Sequence, residues 1–207
     1  MFANINSLID DLVTFPSQRR LGTESHQTQR SGRYYHNYAF STLVQFGFKE
    51  LDKKSYREQR VTQDGLYVVN EPNGSQKAPD ILLTKIRDSK IVNTLGIEVK
   101  SGNKKIFWND GIPQEDVLYM YYDYKLRKSL LVSGKHLIPE KDRILMMRFK
   151  QELRELTMKY KKEVSKNFSL YARKANQQKI ELDRLPIQEY ENITKESAEI
   201  LIKFLAT

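Results

Sequence analysis

The 207-residue chain carries 35 Lys+Arg against 26 Asp+Glu, a formal net charge of +9, and no cysteine. Disulfides, thiolate catalysis and cysteine-ligated zinc are therefore excluded. With 39% hydrophobic and 11% aromatic residues, no apolar run of the roughly 18–20 residues a membrane span needs and no basic-then-apolar leader, the expectation is one folded, cytoplasmic domain over residues 1–207 that does not enter a membrane.

In chain order, Phe2–Phe15 is expected to be a short helix, with Ile5, Leu8, Ile9, Leu12 and Val13 at helical spacing. Residues 16–32 are polar and fit either an exposed arm or the front of the next helix. Tyr34 to Phe48 reads as that helix, with Tyr38, Leu43 and Phe46 as core anchors and its end near Gly47. Thr62–Gln76 reads as turns because of Asp64-Gly65 and Pro72-Asn73-Gly74. Asp80–Ile86 and Ile91–Lys100, rich in Ile, Leu, Val and Thr, are expected as strands around a turn at residues 87–90.

Val117–Tyr124 and Ser129–Ser133 follow as two more strands, with Tyr119, Tyr121, Tyr122 and Tyr124 divided between core and sheet face. Pro139–Lys166 is the clearest helix, with Leu145, Phe149, Leu153, Leu156, Tyr160 and Val164 in one apolar stripe. Thr194 is expected to cap a last helix that packs Ile200, Leu201, Phe204 and Leu205. The sum is an α/β or α+β fold with a mixed sheet of about four strands between helices.

The positive charge is uneven. Residues 102–174 hold 17 Lys/Arg and 9 Asp/Glu, a surplus of 8 out of the chain's +9. Such a concentration favours a polyanionic partner, nucleic acid or an anionic membrane surface, although a solvated helix face has the same composition.

Two stretches carry the chemistry. Asp80 opens one apolar strand, and Glu98-Val99-Lys100 closes its neighbour. Side chains alternate along a strand, so Glu98 and Lys100 share a face while Ile97 and Val99 share the other. Pairing the strands brings Asp80 to the end that holds Glu98. Facing carboxylates repel unless a cation lies between them, which suits Mg²⁺, and two carboxylates, a hard metal and a lysine can hydrolyse a phosphodiester. Acid-x-Lys triplets also arise by chance in so charged a chain: Asp52-Lys53-Lys54, Asp88-Ser89-Lys90 and Asp123-Tyr124-Lys125 all fit. Asp123, at the end of an apolar strand and with Asp110 upstream, is the serious competitor.

Pro79-Asp80, then 17 residues, then Glu98-Val99-Lys100 resembles the PD-(D/E)xK signature of the restriction-endonuclease-like nuclease superfamily, and the chain is most similar to an orthodox type II restriction endonuclease. The specific match covers Pro79–Lys100, and the order of elements is similar over a catalytic core of about residues 34–166, followed by a basic, helical part at 139–207. The resemblance implies a restriction-endonuclease-like core and a homodimer acting on double-stranded DNA. It implies Mg²⁺ held by Asp80, Glu98 and the backbone carbonyl of Val99, with Lys100 assisting the attacking water to leave 5′-phosphate ends. It also implies an additional acid, for which Glu24 and Glu50 are the candidates, and a cognate DNA methyltransferase as a functional rather than physical partner. Repair and junction-resolving nucleases share the superfamily, and a non-catalytic, basic DNA-binding protein is the rival from another class.

For holding DNA, Ser101–Asp116 offers Lys104, Lys105, Trp108, Asn109, Asp110 and Gln114 directly after the catalytic strand. Trp108 suits either base stacking or anchoring a loop. Lys161, Lys162, Lys166, Arg173 and Lys174 suit phosphates. His26, His36 and His136 have no zinc-site spacing, and neither a phosphate-binding glycine loop nor a nucleophilic-serine elbow is present.

Overall fold

The structure is a computed structural model that describes residues 5–16, 27–74, 77–103, 105–109, 112–164, 175–179 and 187–206, with the backbone alone for 27–31, 105, 107–109, 175–179, 187, 188 and 190. Glu24, Lys104, Asp110, Lys166, Arg173 and Lys174 lie outside the described residues.

Two helices come first, α1 (Ile5–Val13) and α2 (Gln27–Phe46). The first buries Leu8, Ile9 and Leu12, and the second buries Tyr35, Ala39 and Leu43, four residues apart, the spacing of a single helix face. At the end of α2, Gly47 takes φ 118°. Its N–H bonds the Val44 carbonyl at 3.0 Å while that of Phe48 bonds Leu43 at 3.2 Å, a Schellman stop that a side chain at Gly47 would strain. Helix α2 begins seven residues before Tyr34.

The sheet follows: β1 (Lys49–Glu50), a short α3 (Lys53–Arg57), β2 (Gly65–Asn70), β3 (Ile81–Arg87), β4 (Lys90–Gly102), then β5 (Lys105–Asn109), β6 (Val117–Asp123) and β7 (Lys128–Ser133). Six strands lie in the order β1-β2-β3-β4-β6-β7. The β1–β2 and β4–β6 pairs are parallel and the others antiparallel, so the protein is mixed α/β with a mixed sheet flanked by helices. Strand β5 instead pairs with β8 (Ala175–Lys179) in a second, two-stranded sheet. Helices α4 (Gly134–Leu137), α5 (Glu140–Lys161) and α6 (Ile187–Ala206) complete the chain.

The expected strands around residues 87–90 and at 117–133 agree with the structure to within two residues. Strand β2, however, runs through the segment expected as turns. Its Leu66, Tyr67, Val68 and Val69 are all buried, and the turn signals at Asp64-Gly65 and Pro72-Asn73-Gly74 bound the strand rather than replace it. Helix α6 begins seven residues before Thr194, which is therefore internal and not a cap.

Alternation divides the core between the two sheet faces. On one, Leu83, Ile97, Met120 and Tyr122 pack against Leu8 and Leu12 of α1, Tyr35 and Leu43 of α2, and Leu201 and Phe204 of α6. Each fully buried aliphatic side chain there contributes about 1.5–3 kcal/mol. Tyr35 stacks on Tyr122 with ring centroids 4.6 Å apart, and the Tyr122 hydroxyl donates to the Leu12 carbonyl at 3.2 Å. The opposite face buries Val117, Tyr119, Tyr121, Leu130 and Val132 with Ile106 and Leu137. Of the strand tyrosines only Tyr124 is exposed.

Helix α5 forms where expected, but its apolar stripe does not enter the core. Leu145, Phe149, Leu156 and Tyr160 remain 64%, 52%, 52% and 44% exposed, and the buried side chain of the helix is Arg143. Among the described residues no helix is long and apolar enough to cross a membrane.

Candidate active site

Asp80 immediately precedes β3. The Ile81–Ile97 pairing of β3 with β4 makes Glu98 its neighbour across the strands. Ile81 and Ile97 face the core under α1, α2 and α6, so Glu98 and Lys100 turn to the other face, whose register partners on β6 are Tyr119 and Tyr121. Gly96 permits a close approach here: a Cβ on it would stand 3.1 Å from the Pro79 ring and 3.3 Å from the Val117 side chain.

Three hydrogen bonds fix the group. The Asp80 N–H donates to Glu98 Oε2 at 3.0 Å, the Val99 N–H donates to Asp80 Oδ2 at 2.8 Å, and Lys100 Nζ donates to Glu98 Oε1 at 2.6 Å. Side-chain exposure is 10% for Glu98 and 25% for Lys100. Burial pushes the Glu98 carboxyl above its ordinary pKa, Lys100 opposes that rise, and Asp80 adds to it. A carboxylate destabilised by desolvation and by a second carboxylate is relieved by a bound cation.

That donor set fits Mg²⁺, which commonly takes one or two protein carboxylates and completes its octahedron with water and substrate phosphate. Among the described residues no group of three or more His, Asp or Glu is placed to hold a metal ion; Asp80 and Glu98 are a pair.

The three rival triplets sit in local turns and a helix cap, and two of their acids accept local backbone N–H groups. Asp52 caps α3 and accepts from Lys54 N and Ser55 N. Asp88 and Ser89 take φ 50° and 58° as the two-residue loop between β3 and β4, the type I′ geometry of a tight hairpin. Asp123, the serious competitor, is fully buried. Its Oδ1 accepts from Lys125 N at 3.0 Å and Leu126 N at 2.9 Å, closing the β6–β7 turn. Glu98 faces a second carboxylate, that of Asp80.

The remaining expected residues are dispersed. Glu50 is exposed on edge strand β1, with the whole of β2 between it and β3, so it does not join Asp80 and Glu98. The expected loop after Lys100 is largely strand: β4 runs on to Gly102, and Lys105, Trp108 and Asn109 lie on β5, where Trp108 pairs with Asn176 and Asn109 with Ala175. Gln114 is exposed, and its backbone is tied to the site's own face because its N–H donates to the Tyr119 hydroxyl at 2.9 Å. Lys161 and Lys162 are exposed at the far end of α5.

Sequence reasoning missed two positioning residues. Arg143 is buried and binds the carbonyls of Pro113 and, at 2.5 Å, Gly134, with Glu115 at 3.0 Å. It thereby fastens residues 113–115 to the start of α4. An arginine in a basic helix gives no local sign of burial. Glu71 is the other. Its N–H donates to the Asp80 carbonyl at 2.7 Å, setting an acid paired with Lys53 at 3.2 Å one strand from the site. The turn-like sequence around it concealed the intervening strand. No protein-family model matches this chain, and neither a curated protein nor a solved structure matches it.

Proposed function

We propose that this chain is a Mg²⁺-dependent endonuclease of the restriction-endonuclease-like type, cutting double-stranded DNA at a specific short sequence as an orthodox type II restriction enzyme does. The observation that carries the reading is the convergence of Asp80, Glu98 and Lys100 on one sheet face, while the Asp52 and Asp123 carboxylates close a helix cap and a turn.

Asp80 and Glu98, with the Val99 carbonyl, would hold the Mg²⁺, which supplies positive charge to the scissile phosphate and favours ionisation of water at neutral pH. The chain's own groups do the rest. Lys100, paired with Glu98 at 2.6 Å, presents an ammonium to the phosphate and orients the attacking water. Water adds to phosphorus, the bond to the 3′ oxygen breaks, and that oxygen takes up a proton, leaving a 3′-hydroxyl and a 5′-phosphate. The Asp80 to Val99 hydrogen bond positions the first carboxylate before substrate arrives. The surplus of 8 positive charges in residues 102–174 favours the approach of a polyanion.

The test is incubation with plasmid and unmethylated phage DNA, with Mg²⁺ or with EDTA. Discrete Mg²⁺-dependent fragments carrying 5′-phosphates are expected. Intact DNA at high protein concentration sinks the nuclease reading and leaves a basic binding protein. A smear would replace sequence-directed cleavage with a structure-directed or non-specific nuclease.

A further inference from the structure

The sheet face that holds Glu98 is bordered on its β2 side by α3. Across β2, β3 and β4 the rows on that face run Tyr67, Thr84 and Thr94, then Val69, Leu82 and Gly96, and the next row reaches Asp80 and Glu98. Tyr67 packs there against Val61, in the chain that leaves α3. Two more ties fasten this side. The Arg57 guanidinium donates to the Pro72 carbonyl through Nε at 3.2 Å and Nη2 at 2.8 Å, and Asn73 Nδ2 donates to the Ala78 carbonyl at 2.9 Å. Helix α3 and the turn before β3 are thus one unit, and that unit presents Asp80.

The unit carries a lysine beside the two carboxylates of the site. Lys53 Nζ lies 3.2 Å from Glu71 Oε2, with the two side chains 42% and 32% exposed. Glu71 in turn donates its N–H to the Asp80 carbonyl at 2.7 Å. Glu71, Asp80 and Glu98 therefore succeed one another from strand to strand, about 4.8 Å apart each time. Lys53 sits on the first of these acids, and Lys100 sits on the last at 2.6 Å. Glu71 joins no metal-holding group of three; its carboxylate holds Lys53. Lys54 and Lys77 are exposed on the same unit, whereas its acids are engaged: Asp52 caps α3, and Glu58 pairs with Arg60 at 3.1 Å. The β2 side of the site is therefore positive in its own right.

We infer that Lys53 is a second phosphate-binding residue of this site, holding the DNA phosphate next to the scissile one on the β2 side of Asp80 and Glu98. The inference rests on the nuclease reading and adds the direction in which one strand crosses the site, from Lys100 over the carboxylates to Lys53. The salt bridge of Lys53 is with Glu71 rather than with Asp80 or Glu98, one strand removed from the metal-holding pair, so it meets the neighbouring phosphate. A half-exposed ion pair contributes little to stability; the position of Lys53, rather than the strength of its bond to Glu71, carries the argument. Without substrate, Glu71 keeps the ammonium in place. When DNA arrives, a phosphate oxygen replaces the carboxylate oxygen as acceptor, and a compact ammonium with three rotatable donors suits that exchange.

The experiment is filter binding of unmethylated phage DNA fragments by the full chain in EDTA, across a salt series, beside Mg²⁺-dependent cleavage of plasmid. Lys53→Ala is expected to weaken binding roughly 10-fold, the scale of one lost hydrogen bond to a charged group. It is also expected to lower the slope of log affinity against log salt by about 1, and to raise KM for plasmid with kcat little changed. Lys53→Arg is expected to restore most of the affinity. Glu71→Gln separates a phosphate contact from a brace, because it breaks the same ion pair and leaves the lysine. Retained or tighter binding with an unchanged slope is expected of it; a loss equal to that of Lys53→Ala overturns the inference. Unchanged affinity and slope in a folded Lys53→Ala protein overturn it as well, as does a wild type that retains no DNA. Should Lys53→Ala fail to fold, Lys53→Gln decides by the same readings. Cleavage that persists while these readings fail leaves the nuclease standing without this contact. Binding through Lys53 in a protein that cuts nothing removes the nuclease and keeps the phosphate contact.

Discussion

Asp80 and Glu98 hold one another in place through the backbone between them: the Asp80 N–H donates to Glu98 Oε2 at 3.0 Å, and Asp80 Oδ2 accepts from Val99, the residue after Glu98, at 2.8 Å. Both carboxylates are thus set by strand pairing, which is more rigid than a loop, and their mutual repulsion is offset in part by Lys100 at 2.6 Å.

The roles of the three residues separate from those of the rival triplet. Asp80→Ala and Lys100→Ala are expected to lower cleavage by at least about 100-fold, the scale of lost charge stabilisation, while the thermal transition stays cooperative. Asp123→Ala removes two turn hydrogen bonds and is expected to cost about 1–3 kcal/mol of stability, yet to cut DNA at temperatures where it is folded. Plasmid cleavage beside thermal melts measures both. An inactive, folded Asp123→Ala with an active Glu98→Ala would show that the wrong triplet had been chosen.

Metal binding should depend on pH with a definite sign. The folded-state pKa of Glu98 is raised, chiefly by burial. Its contribution to metal-free stability is therefore complete below the ordinary carboxylate value and lost as pH rises through the raised one. Mg²⁺ requires the ionised form, so its stabilisation runs the opposite way. The difference in melting temperature between Mg²⁺ and EDTA is expected to grow as pH rises through and above the ordinary carboxylate range and to vanish in Glu98→Gln. A difference independent of pH would place the metal elsewhere.

Residues 113–115 are predicted to depend on Arg143 and Gly134. A Cβ on Gly134 would stand 1.8 Å from the Gln114 carbonyl oxygen, so Gly134→Ala must displace the segment, at a cost of about 1–3 kcal/mol. Arg143→Ala leaves two buried carbonyls without their donor and is expected to cost about 2–4 kcal/mol. Tyr119→Phe removes one hydrogen bond to Gln114 and should cost about 0.5–1.5 kcal/mol. Urea titrations give the order, and equal losses for all three would contradict it.

The exposed lysines at the end of α5 offer a binding test. Replacing Lys161 and Lys162 with alanine is expected to weaken DNA binding uniformly across sequences and to reduce the slope of log affinity against log salt by about 1–2. An unchanged slope would mark them as solvated charges.

Much of the fold is legible because its signals are local. The strands flanking Asp88-Ser89, the Gly47 stop and the faces of α1 and α2 follow from alternation, 3.6-residue spacing and one glycine. Strand β2 was obscured because it is buried on both faces, which removes the alternation that marks a half-buried strand. The β5–β8 pairing joins residues 105–109 to 175–179, a separation at which no spacing rule operates.

The sequence by itself excluded cysteine chemistry from a basic chain and marked Asp80, Glu98 and Lys100 as one possible set among several for the proposed reaction. Only the tertiary structure favours one of the sets, because strand pairing brings two carboxylates together at one place. Asp52 and Asp123 are spent on their own turns, whereas Asp80 and Glu98 meet across a strand pair. The same holds for α5. Its periodicity fixes a stripe, but whether a stripe is covered depends on what packs against the helix, and here Leu145, Phe149, Leu156 and Tyr160 stay exposed while Arg143 is buried.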